Sequence, residues 1–296
     1  MTAPARLGLY GAALVAIFVV AFLGGRAFIP DSAAAARTEA AEEAHGGGHE
    51  GNSGAAHTVP GLSVEQDGYR IHDVTVPAAG QDGTFSFRLS GPDGAPVTGY
   101  TTEHDKDLHL IVVRSDGAEF RHVHPRNNGD GSWSLPWRWN SAGTYRLFTD
   151  FVPTDLGSKV VLTSAVSVAG DFAPQAVPPD STVAQADEFT ITLDGHLGLG
   201  AGEPLRFTVS RNGTPVTDLQ PYLGAYGHLV ALREGDLGYL HVHPVGEPND
   251  GTTRPGPDIE FMAEPPTPGK YFLYLDFQVD GRVHTARFTA TAHGDH

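Results

Sequence analysis

The sequence predicts an all-β fold of two tandem sandwich domains behind an N-terminal transmembrane helix. Three observations carry this: a gapless internal repeat, short β-branched and aromatic runs between turn signals, and one uncharged apolar stretch near the start. The repeat aligns Pro96 to Pro125 on Pro215 to Pro244 with ten of 30 positions identical, among them His109/His228, His122/His241 and His124/His243. It resumes where Gly143 to Phe151 matches Gly269 to Phe277, after a seven-residue insertion in the second copy.

Each element follows in order. Leu7 to Gly25 carries no charge and is bounded by Arg6 and Arg26; as a helix it would be about 28 Å long, close to the ~30 Å of a bilayer core. Residues 1–30 are therefore expected to form a membrane anchor with a short cytoplasmic end. The competing reading is a signal peptide cleaved near Ala33 to Ala36. Residues 31–60, rich in Ala, Gly and Glu with His45, His49 and His57, show no apolar period and read as a flexible stalk.

The first sandwich is expected over residues 61–169, with strands near 68–76, 84–90, 108–114, 119–124, 132–139, 144–151 and 160–168. Residues 170–182, with three prolines, read as a linker. The second sandwich is expected over 183–292, with strands near 187–193, 204–210, 227–233, 238–243, 258–263, 270–277 and 283–291, before a 293–296 tail. Seven strands per roughly 100 residues suit an immunoglobulin-like topology without the disulfide of antibody domains. Trp133, Trp137 and Trp139 share a face with Leu135 and read as core, while Pro136 argues for an edge strand.

Composition removes several function classes. Nineteen Lys and Arg against 35 Asp and Glu leave a formal charge of −16, which disfavours nucleic acid as a partner. No cysteine means no thiolate zinc, iron–sulfur or blue-copper centre, and only two methionines exclude a Met-rich copper(I) site. The Gly-rich 197–202 segment precedes no helical pattern and reads as a loop, and there is no Gly-x-Ser-x-Gly elbow.

The 15 histidines point instead to imidazole and carboxylate chemistry. Side chains at i and i+2 of a strand share a face, so His122 and His124 can converge on one ion, as can His241 and His243. A hairpin turned at Asp116 and Gly117 places position 109 opposite about 124 and position 111 opposite about 122. A three-imidazole cluster is thus expected in each domain: His109, His122 and His124 in the first, His228, His241 and His243 in the second. Asp150 and its counterpart Asp276, acids inside apolar strands, are candidate fourth ligands or orienters of a histidine. Two-thirds of the aligned positions differ, yet these histidines are kept. His72, His104, His196 and His284 have no counterpart and are expected to be structural or solvated.

The paired segments His109-Leu110 to Pro125 and His228-Leu229 to Pro244 resemble exported bacterial β-sandwich proteins often labelled secreted or heavy-metal-associated. The resemblance spans about residues 85–290 and implies export and handling of copper or zinc at the matching histidines. The resulting expectation is a single-pass, membrane-anchored protein with its sandwiches outside the cytoplasm, buffering or delivering a divalent transition metal, copper or zinc. Two alternatives stay open: a metal-free interaction module that scaffolds an envelope protein partner, and a three-His zinc hydrolase or hydratase.

Overall fold

The computed structural model describes residues 61–199, 204–240 and 242–294. The residues expected to form an anchor and a stalk, His241 and His296 lie outside the described residues. Among the described residues there is no helix, and so none long and apolar enough to cross a membrane.

The chain is all-β. The first copy contains β1 (Glu65–Gln66), β2 (Tyr69–Thr75), β3 (Gly83–Ser90), β4 (Tyr100–Thr101), β5 (His109–Arg114), β6 (Arg121–Val123), β7 (Arg126–Asn127), β8 (Ser132–Trp137), β9 (Gly143–Pro153) and β10 (Val160–Val168). The second contains β11 (Val183–Ala186), β12 (Phe189–Asp194), β13 (Leu205–Arg211), β14 (Thr214–Pro215), β15 (Gly227–Arg233), β16 (Tyr239–Leu240), β17 (Val242–Pro244), β18 (Asp258–Ala263), β19 (Gly269–Val279) and β20 (Arg282–Ala292). In the first copy the sheets run β1-β2-β3-β8-β7 and β10-β9-β5-β6; in the second, β11-β12-β13-β18-β17 and β16-β15-β19-β20. All named pairings are antiparallel.

Each sandwich closes over its own core. Phe85, Phe87, Trp133 and Trp137 from one sheet meet Leu110, Val112, Leu147 and Leu162 from the other, with Trp139 alongside. Phe189, Phe207 and Phe261 meet Ala231, Leu273, Leu275 and Phe288 in the second copy. Tyr145 donates its hydroxyl proton to Ser141 O at 2.8 Å and Tyr271 does the same to Thr267 O at 2.9 Å. This return bond to a carbonyl a few residues upstream is the tyrosine corner of immunoglobulin-type sandwiches.

Two strand expectations need correction. The run expected as one strand near 238–243 is two, because the chain leaves β15 after Leu240 and pairs Val242 with Ala263 of the other sheet. In the first copy the hairpin stays on its sheet longer, with Val123 still opposite Leu110. The strand with Pro136 is not an edge strand, since β7 lies outside it; but β7 pairs only with Trp133 and Ser134, so the imino nitrogen of Pro136 meets no ladder.

The two sandwiches also pack on each other through the sheets that carry His109 and His228. Along β5, Leu110 and Val112 point into the first core while Ile111 and Val113 join a third cluster with Phe148, Val230, Leu232, Phe272 and Tyr274. The Phe120 ring stacks on Tyr274 at 3.9 Å with 4° between planes, and Phe148 meets Tyr239 at 5.7 Å. Phe120 aligns with Tyr239 and Phe148 with Tyr274 in the repeat. The two contacts therefore exchange equivalent positions, as across a two-fold axis.

Candidate metal centre

The hairpin register is the one counted from sequence: Ile111 faces His122 and Leu110 faces Val123. His109 therefore stands at the same end as His124, and the two rings are 4.9 Å apart. His109 Nδ1 lies 3.0 Å from His122 Nε2 and 3.2 Å from His124 Nε2, and the three ligand atoms fall within 4.8 Å of one another. Two nitrogens bound to one tetrahedral zinc at ~2.05 Å are about 3.3 Å apart, so these separations suit a shared ion.

The outer partners decide which ring nitrogens carry protons. His109 Nε2–H donates to Glu103 O at 3.2 Å, a carbonyl that can only accept. His122 Nδ1–H donates to Asp276 Oδ2 at 3.0 Å, both side chains being 4% exposed. With both rings neutral, His109 Nδ1 and His122 Nε2 turn lone pairs toward the same point, which a metal ion or a shared proton can occupy. Burial and the neighbouring His122 push His109 down to about 2, and the same two causes lower His124 to about 3.

The acids take different roles. Asp150 is directly across the ladder from His109, and Asp276 from His228. Asp276 reaches over to the other sandwich and orients His122, while its Oδ1 accepts from the Thr285 hydroxyl at 2.6 Å. Asp150 is raised by burial and accepts from the Tyr239 hydroxyl at 3.3 Å, with Lys159 Nζ 3.7 Å away and Lys159 also held by Glu103 at 3.1 Å.

His228 does not mirror His109. Its Nε2–H donates to Tyr222 O at 2.9 Å, as His109 does to the aligned Glu103, but its ring stands 6.3 Å from His122 of the first triplet. Burial and His122 lower it to about 4. His243 is exposed on β17, opposite Met262, in the other sheet of its sandwich. Among the described residues, the one three-ligand group is thus His109, His122 and His124. The early sheet switch in the second copy is the physical reason that His243 stands on a different sheet from His228.

Sequence reasoning undervalued His104. It is exposed, as expected, but its ring lies 6.2 Å from His109 and 5.3 Å from His228, and it lines the same cavity. Only the position of its turn beside His109 could have signalled this. His284 is buried and structural, paired with Asp187 at 2.6 Å. The three tryptophans are core, as read from the sequence.

No match was found among curated proteins. Solved structures that this chain matches include a Salmonella alpha-2-macroglobulin mutant (16% identity over 79% of this chain and 15% of that one, TM-score 0.24). Others are the CbhA fibronectin(III)-like modules of Clostridium thermocellum (12% identity, 77% and 94%, TM-score 0.20) and a putative membrane anchored protein from Corynebacterium diphtheriae (11% identity, 77% and 57%, TM-score 0.23). The profile described as Domain of unknown function (DUF8832) matches residues 63–169 and again 184–294. Since these two matches cover most of the chain, once per sandwich, the protein belongs to the DUF8832 family.

Proposed function

We propose that this protein binds a divalent transition metal, copper or zinc, at His109, His122 and His124, and buffers or delivers it outside the cytoplasm. In this reading residues 7–25 anchor the chain in the membrane and the sandwiches are exported. The observation that carries the proposal is the convergence of three ring nitrogens, with His109 Nδ1 lying 3.0 Å from His122 Nε2 and 3.2 Å from His124 Nε2, while the outer nitrogens of His109 and His122 rest on Glu103 O and Asp276. Asp276 would serve as the carboxylate that fixes the ring of a metal-bound histidine. The resemblance to heavy-metal-associated exported sandwiches agrees with this.

The ester hydrolase alternative is opposed by size. The cavity beside the triplet is about 60 Å³, room for an ion and a water or two, whereas organic substrates occupy roughly 300 Å³ or more.

The test is to load the purified full chain with copper(II) or zinc, dialyse, and count ions by elemental analysis. About one equivalent is expected, lost in His122→Ala and in His124→Ala and kept in His243→Ala. Retention of no ion by the unsubstituted chain would end the metal reading, and CO2 hydration by the loaded protein would move it to an enzyme.

A further inference from the structure

We propose that His104 and His228 form a second, solvent-facing station for the same class of divalent ion, through which ions reach and leave the triplet. This rests on the triplet being an ion site. The two imidazoles come from different sandwiches, and their rings are 5.3 Å apart. His228 Nε2–H is committed to Tyr222 O at 2.9 Å and Leu223 O at 3.1 Å, so its Nδ1 keeps a lone pair.

The pair is continuous with the triplet. His104 is 6.2 Å from His109, His228 is 6.3 Å from His122, and all four line one cavity. Of these four, His104 is the exposed one. An ion passing from water to the triplet by way of His104 keeps an imidazole neighbour at each stage, and so need not shed its whole hydration shell at once. Two nitrogens bind more weakly than three, which suits a place of transit.

The backbone holds His104 at this place. Glu103 and Lys106 exchange two hydrogen bonds of 3.0 Å each around a tight turn, in which His104 has φ 48° and Asp105 φ 61°. The equivalent turn in the second copy has Leu223 at φ 53° and Gly224 at φ 73°, the same backbone without a ligand. Left-handed positions are commonly filled by Gly, Asn, Asp or His, so this turn accepts the imidazole that the second copy lacks.

The experiment uses the full chain loaded with zinc, with His104→Asn as the variant because asparagine tolerates the left-handed turn and the site is exposed. Equilibrium affinity is measured by chelator competition, and the rate of zinc transfer to excess chelator by stopped flow. Affinity should stay within about twofold while transfer slows about tenfold or more, the loss of one modest interaction at the barrier. Unchanged transfer rates overturn the station and leave the triplet standing. So does a parallel loss of affinity, which would make His104 a ligand of the triplet itself. Zinc not retained by the unsubstituted chain overturns both proposals.

Discussion

Asp276 of the second sandwich accepts a hydrogen bond from Nδ1 of His122 in the first at 3.0 Å, across 154 residues of chain. Neither side chain is more than 4% exposed, so the contact is made away from water. A carboxylate in this position makes the opposite ring nitrogen a better ligand and holds the ring in place.

Asp276→Asn should therefore weaken zinc or copper binding by about 10- to 100-fold. Asp150→Asn should leave affinity within about twofold, because Asp150 pairs with Tyr239 and Lys159 rather than with an imidazole. Chelator competition on the two variants checks the contrast; equal losses would assign both acids the same role.

Stability should depend on pH in a defined direction. His109, His124 and His228 are depressed to about 2, 3 and 4, chiefly by burial and then by His122, while an unfolded histidine titrates near 6.5. Between those values the unfolded chain binds more protons than the folded one, so stability rises with pH. The metal-free protein should hold its full stability above about pH 6.5 and lose it progressively as the pH falls toward 4. Calorimetric Tm values from pH 4 to 8 in EDTA would show this, and a flat profile would contradict it.

Gly117 sits at the tip of the β5–β6 hairpin with φ 74°, and a Cβ there would come within 2.7 Å of the Phe272 ring. Its carbonyl accepts from the Tyr274 hydroxyl at 2.6 Å. Gly117→Ala should cost more than about 1 kcal/mol, from strain plus displacement of Phe272 in the contact between sandwiches. Urea unfolding reads the cost directly.

Arg114 and Asp116 form an almost fully buried pair at 2.8 Å, and Asp116 Oδ2 also accepts from the backbone N–H of Gln175 in the segment joining the copies. Asp116→Ala leaves a guanidinium without its partner and should cost about 3–5 kcal/mol. Chemical denaturation measures it; a loss below 1 kcal/mol, the scale of an exposed pair, would show that water reaches Arg114.

Much of the architecture was legible because the repeat and the turn signals act locally. Apart from 238–243, which is two strands, the expected strands are present with ends shifted by at most two residues, and the Ile111–His122 register follows from counting around the turn. The packing of one sandwich on the other was written in a feature read only as strand. His109 to Arg114 and Leu229 to Leu232 do not alternate, and every one of these residues is buried because both faces of the strand are covered. The place where each hairpin changes sheet was not legible. It depends on pairing with β8 and β18, and identical His-Val-His-Pro segments take different paths in the two copies. The short strands β1, β4, β7, β11 and β14 were missed because two to four residues carry no usable period.

The reciprocal ring contacts, Phe120 with Tyr274 and Tyr239 with Phe148, are those that two copies of one polypeptide would make on meeting face to face. Here a short peptide joins the halves, so their encounter is intramolecular and dilution does not separate them. A centre that draws His122 from one half and Asp276 from the other consequently forms with the same completeness in a single molecule as in a concentrated solution.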